Sequence, residues 1–206
     1  MSARSPESTS VTKSVASPRE KPTGLVPRLV ERFPERLVWM GFVFVNGFAA
    51  IAILGTLAML SRAPLLFPSL GASAILMFYS PPLPTASPRS VVLGHAIGIV
   101  CGFAALVLTG LQNSPSAIVM GVDGPRVIAA ALSLAATGAL MVLFRVTHPP
   151  AGATALVISL GVFTKPYQLP IMELAVIVLT LQAILVNRMA GVDYTIWTPR
   201  TPPLHS

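Results

Sequence analysis

Between Leu37 and Asn187 the chain runs for 151 residues with seven charged side chains: Arg62, Arg89, Asp123, Arg126, Arg145, Lys165 and Glu173. The other 14 charges fall in the 55 residues outside that run. A soluble domain carries roughly one charged residue in four, so this stretch lacks the polar surface that water requires. A multi-span helical membrane domain satisfies its backbone internally and needs no such surface. Composition agrees, with 53% hydrophobic residues, 10% charged and a mean hydropathy of +0.75. An ordinary globular domain and a disordered chain are both excluded. The net charge of +7 does not indicate a nucleic-acid partner, because the basic residues gather at the chain ends rather than on one face.

The 20 prolines refine this picture, since 12 of them lie inside the apolar run. Four stretches are long and uninterrupted: about Leu37 to Leu60, Ser90 to Leu111, Val127 to Phe144 and Gln168 to Asn187. Two apolar segments open on prolines instead, Ala63 to Ser80 with Pro64 and Pro68, and Val146 to Thr164 with Pro149 and Pro150. Proline breaks a helix interior but suits its first turn. The expected fold is therefore an all-α membrane protein: four long transmembrane helices plus two short or re-entrant helices. Residues 1–36 read as a disordered, basic cytoplasmic tail, 37–187 as the membrane domain, and 188–206 as a cytoplasmic C-terminal tail. The first 36 residues show no apolar stretch of the kind a cleavable signal carries.

The two broken segments match each other. Pro68-Ser69-Leu70-Gly71-Ala72-Ser73-Ala74-Ile75 aligns with Pro149-Pro150-Ala151-Gly152-Ala153-Thr154-Ala155-Leu156 as P-x-x-G-A-[ST]-A-[IL]. A two-fold internal repeat follows, with halves at about 37–111 and 126–187. Transporters with such repeats often bind substrate where Pro/Gly-broken helices meet. Helix N-termini attract anions. Gly71, Ala72 and Ser73, with Gly152, Ala153 and Thr154, are expected to offer free backbone N–H groups, and Ser73 and Thr154 to add hydroxyls.

Parity links the repeat to topology. Six crossings place Arg89, Arg145 and Arg188 with the basic N-terminus inside, whereas four place Arg89 and Arg145 outside. The positive-inside rule favours six.

The string His148-Pro149-Pro150-Ala151-Gly152-Ala153-Thr154-Ala155-Leu156 resembles the signature of the HPP family of integral membrane proteins. The resemblance extends to Pro68–Ala74, Pro88-Arg89, Gly94-His95 and Asn187. It implies four transmembrane segments. It also implies a multi-pass protein of the bacterial inner membrane, or alternatively the plastid envelope. Some members of that family are nitrite transporters, so transport of a small inorganic anion is the implied function, with a non-transporting scaffold as the alternative.

Candidate residues follow from both readings. His148 stands at the head of a broken helix, where it can donate to an anion or carry a proton. His95 lies inside the second long span. Pro68, Pro149 and Pro150 set the breaks, and Arg89 and Arg145 suit a basic vestibule. Glu173 is expected in an ion pair with an arginine or Lys165. Cys101, alone in the chain, reads as a small hydrophobe in a helix interface. Ser133 and Thr137 read as helix-packing residues. No metal site, cofactor or catalytic constellation is expected, so the chain is not expected to be an enzyme. The expected partners are the lipid bilayer, the anion and a second copy in a homo-oligomer.

Overall fold

The computed structural model describes residues 24–198, and all its regular structure is helical. In chain order the helices are α1 (Leu25–Val30), α2 (Glu35–Ser61), α3 (Pro68–Tyr79), α4 (Pro88–Leu108), α5 (Ala117–Met120), α6 (Gly124–Leu143), α7 (Pro150–Ser159) and α8 (Gln168–Met189). A 3₁₀ turn, Pro84–Ala86, leads into α4. Four helices, α2, α4, α6 and α8, are long and apolar enough to cross a membrane.

Local chemistry sets these boundaries. Pro68 and Pro150 occupy the first turns of α3 and α7. Asp123 caps α6 by accepting the Arg126 N–H at 2.9 Å. At helix C-termini, Arg62 closes α2 and Arg145 follows α6, both in the left-handed conformation with φ of 53° and 52°.

The short helices join opposite ends of the bundle. Segment 62–79 leaves α2 at Arg62 and ends at Tyr79, which shares a groove with Glu35 and Arg36 at the start of α2. Segment 145–159 begins where Arg89, at the start of α4, donates to the Phe144 and Arg145 carbonyls. It ends where Arg126, in the first turn of α6, donates to the Ser159 carbonyl at 3.0 Å. An extended lead-in plus a short helix covers about 30 Å in each case, the thickness of a hydrocarbon core. Neither segment doubles back. Arg89, Arg145 and Arg188 accordingly lie at one end of the bundle, and Arg62, Arg126 and Lys165 at the other.

Packing interleaves the two halves of the chain. Helix α4 packs most heavily on α7 and α6, and α8 packs on α4, α3 and α2. The main core gathers Leu54, Leu70, Met77, Phe78, Ile158, Met172 and Leu179, all fully buried. Cys101 is buried in α4, as expected of a small hydrophobe.

Part of the N-terminal tail departs from expectation. Residues 24–36, read as disordered, carry α1, whose Val26 N–H donates to the Ala190 carbonyl at 2.9 Å. Residues 191–198, in the C-terminal tail, fold back on the bundle. The Tyr194 hydroxyl donates to the Ala86 carbonyl at 2.6 Å, and the Trp197 carbonyl accepts the Arg89 N–H at 3.1 Å. Polar termini still dock where apolar side chains such as Val26 and Tyr194 find a gap, a context that composition averages away. The expectations for 1–23 and 199–206 fall outside the described residues.

Burial pushes the Tyr194 phenol above its usual range. The folded state favours the neutral phenol, so its contribution is complete below the unfolded pKa of about 10 and is lost as pH rises past it. Tyr194→Phe is expected to cost about 1 kcal/mol at neutral pH and to flatten the loss of stability above pH 10. Thermal melts in detergent across that range test both effects.

Candidate functional site

The polar residues of the bundle converge where α3, α4 and α7 meet. Glycines of α4 make this approach close. A Cβ on Gly94 would lie 2.7 Å from the His148 Cβ, one on Gly98 would strike the Ala151 carbonyl oxygen, and one on Gly102 would lie 2.7 Å from the Ala155 carbonyl oxygen. The pairings advance together along both helices, so α4 and α7 run parallel in contact. The spacing G-x-x-x-G-x-x-x-G is the sequence signal of this contact; the sequence reading singled out only Gly94.

Five side chains form a continuous network in this contact, all fully or almost fully buried. Ser69 Oγ lies 2.6 Å from Thr154 Oγ1, and Thr154 Oγ1 lies 2.7 Å from His95 Nδ1. His95 Nε2 lies 2.8 Å from Ser73 Oγ, and Ser73 Oγ lies 2.9 Å from His148 Nε2. The two Nε2 atoms are 3.2 Å apart. His148 Nδ1 lies 2.8 Å from the Thr85 carbonyl oxygen, and Ser73 Oγ 3.1 Å from that of Ser69.

Proton counting assigns the tautomers. A carbonyl only accepts, so His148 Nδ1–H donates to Thr85, and neutral His148 accepts at Nε2. Were His95 protonated at Nδ1, two bare Nε2 lone pairs would compete for the single Ser73 hydroxyl proton. Protonation of His95 at Nε2 removes the conflict. Ser69 then donates to Thr154, Thr154 to His95 Nδ1, His95 Nε2–H to Ser73 Oγ, and the Ser73 hydroxyl to His148 Nε2. Every imidazole nitrogen and hydroxyl is satisfied with no net charge. The network lies about two helical turns inside the Arg89 end of α4.

Of the residues named from sequence, Ser73, His95, His148 and Thr154 come together. Gly152 is buried against α6, with Leu134 Cδ1 only 2.9 Å from where its Cβ would stand. Pro68, Ala72 and Pro149 are exposed on the outer surface, and Gly71, Pro150 and Ala153 are half-buried. The expected free amides are corrected. Residues 71–73 and 152–154 lie too deep in their helices, where N–H groups bond to carbonyls three or four residues back. Gly152 N–H donates to Pro149 and Ala151 N–H to His148. The polar groups left at this contact are therefore side chains.

A groove of about 380 Å³ runs between α6 and α7 from Arg145 to His148, Pro149 and Gly152. Arg145 thus lines a groove that borders His148. Arg89 does not face it: its guanidinium donates at 3.0 and 3.1 Å to the carbonyls that end α6. The ion pair expected for Glu173 does not form; both its carboxylate oxygens are buried without a hydrogen-bond partner. Among the described residues no three His, Cys, Asp or Glu side chains gather in a metal-binding group. Ser133 Oγ donates to Ser159 Oγ at 3.0 Å, linking α6 to α7 as expected of a packing residue.

Two contributors were missed from sequence. Ser69 was hidden among the small residues of a first helical turn. Arg126 was counted from sequence only among the charges of the apolar run, and it is 2% exposed.

Known proteins bear on this arrangement. Two transmembrane proteins of Dictyostelium discoideum resemble the chain. One is 29% identical over 160 residues, covering 73% of this chain and 52% of the relative. The other is 34% identical over 136 residues, covering 62% and 40%. The chain spans about half the length of the curated relatives it matches. No solved structure matches. Residues 33–195 match the family described as HPP, transmembrane region. That match takes in all four long helices and the whole buried network. The chain belongs to the HPP family of integral, multi-pass membrane proteins.

Proposed function

We propose that this chain moves a small inorganic anion of nitrite size across a bacterial inner membrane, with Ser73, His95, His148 and Thr154 as its binding site. The observation that carries this reading is the buried network itself. It places imidazole and hydroxyl donors, with no carboxylate among them, inside the bundle between α4 and the first two turns of the two broken helices. Both helix N-termini add partial positive charge there. Intramembrane ionisable residues are costly and are kept for a task. The groove lined by Arg145 supports an approach for an anion from the Arg89 end.

The interleaved packing, with three passes in each half, supports an inverted two-fold repeat, and the basic N-terminal segment supports a cytoplasmic Arg89 end. The outer face of α2 exposes Phe44, Phe48, Met59 and Leu60 to lipid or to a second copy.

The scaffold reading keeps one observation in its favour. Ser69 and Thr154 bond directly at 2.6 Å, so α3 and α7 touch without a gap at that point.

Nitrite uptake into proteoliposomes decides between them. The wild-type protein is expected to exceed protein-free vesicles by at least tenfold, about 1.4 kcal/mol in barrier terms. His148→Ala and Ser73→Ala are expected to return uptake to background while eluting as monodisperse protein. Wild-type flux equal to that of empty vesicles would sink the transport reading. Unchanged flux in both variants would remove the network from the mechanism.

A further inference from the structure

We infer that the buried network takes up its anion only together with one proton, held on the His95–His148 pair, so that transport of a monovalent anion is electroneutral symport. This rests on the anion-transport reading above. The argument begins with the triangle of His95 Nε2, Ser73 Oγ and His148 Nε2, whose edges are 2.8, 2.9 and 3.2 Å.

In the neutral network every hydrogen is already committed. The His95 Nε2–H is spent on Ser73 Oγ, and the one Ser73 hydroxyl proton on His148 Nε2. An anion is an acceptor only. Arriving alone, it finds no spare donor and brings an uncompensated charge into a buried site.

One added proton changes the inventory. Its place is His148 Nε2, the acceptor on which the neutral network converges. His148 Nδ1–H stays bound to the Thr85 carbonyl, so the ring keeps its orientation. Two Nε2–H groups then point into the triangle, and Ser73 Oγ is the only acceptor inside it. The Ser73 hydroxyl turns to the Ser69 carbonyl, 3.1 Å away. The result is a buried cation with two converging N–H donors, a cradle for one anionic oxygen.

No counter-charge is built in. Helix α7 and the Pro84–Ala86 turn carry no titratable side chain, and α3 carries only Tyr79, exposed at its far end. On α4 the charged group is Arg89, spent on the end of α6. On α6 it is Arg126, bound to the Ser159, Ser114 and Pro115 carbonyls. On α8 it is Glu173, whose carboxylate makes no hydrogen bond, and exposed Arg188. Proton alone and anion alone each bury a net charge in the network, whereas the two together bury none. That linkage makes each raise the affinity for the other. The proton enters from water, rests on Nε2 and leaves with the anion, so the balance closes with no further reactant.

The test uses the full chain in proteoliposomes with nitrite as the probe. Protein-free vesicles report the leak of the undissociated acid. A pH gradient of one unit, acid outside, is expected to drive about tenfold nitrite accumulation. A potassium–valinomycin potential of either sign is expected to leave accumulation unchanged, and an internal pH dye is expected to record one proton per nitrite. Accumulation that follows the potential and ignores the pH gradient overturns coupling while leaving anion transport intact. Absence of nitrite flux under any gradient overturns the transport reading itself. Glu173→Gln is expected to keep the coupling; if it transports nitrite without protons, the carrier is Glu173 and the assignment to the histidines is wrong.

Discussion

Gly98→Val is expected to prevent the bundle from closing. A Cβ at this position meets the Ala151 carbonyl oxygen at a separation that real Cβ atoms do not show. The obstacle is backbone within a helix, so no rotamer change relieves it. Gly94 and Gly102 make the same kind of approach one turn to either side. The parallel helices α4 and α7 would have to separate, and that separation pulls His95 from Thr154 across a 2.7 Å bond. Overpacking a close contact costs up to about 3 kcal/mol, and more where backbone is the obstacle. The melting temperature in detergent should fall by roughly 10 °C for a chain of this size, with aggregation on size-exclusion chromatography. Gly47→Val on α2 is the matched control, because nothing lies within 4 Å of its Cβ position. A Gly98→Val protein melting within about 2 °C of wild type would refute the close approach.

That contact shows where sequence reading succeeds and where it stops. Membrane class and the four long helices were legible because scarcity of charge is a property of each segment by itself. The prolines placed the starts of α3 and α7 for the same reason: Pro68 and Pro150 act on their own helices. His95 and His148 stood out as rare ionisable groups in apolar segments. Their meeting was not legible, since 53 residues separate them and the contact depends on three glycines letting α7 approach α4. The backbone-amide site failed on a detail of helix register. Only the first three N–H groups beyond a cap are unbonded, and the P-x-x-G-A-[ST] motif places Gly71 and Gly152 at or past that limit. Glu173 misled in another way. Its charge suggested an ion pair, but Lys165 is exposed, and the Arg89 and Arg126 guanidinium groups are spent on backbone carbonyls.

Arg126→Met is expected to loosen the end of the bundle opposite the histidines. Its guanidinium donates to the carbonyls of Ser159 at 3.0 Å, Ser114 at 3.3 Å and Pro115 at 2.7 Å. Ser159 ends α7, where unbonded carbonyls concentrate negative partial charge, and a cation is favoured. The same side chain thus ties the α4–α6 connection, the first turn of α6 and the last turn of α7 into one unit. Gly161 completes the fit. Its φ is +84°, and a Cβ there would lie 2.7 Å from two guanidinium nitrogens, so a side chain is excluded by both conformation and space. Methionine fills much of the volume but leaves the buried Ser159 carbonyl and the part-buried Ser114 and Pro115 carbonyls without their donor, at about 1–3 kcal/mol for a buried group and less for the other two. The total should be about 3–5 kcal/mol, a melting shift of roughly 10 °C or more. Lysine keeps the charge but cannot fork between Ser159 and Pro115, so Arg126→Lys should recover less than half of the loss. Full recovery by lysine would mean that charge alone holds this end together, and that the forked geometry contributes nothing.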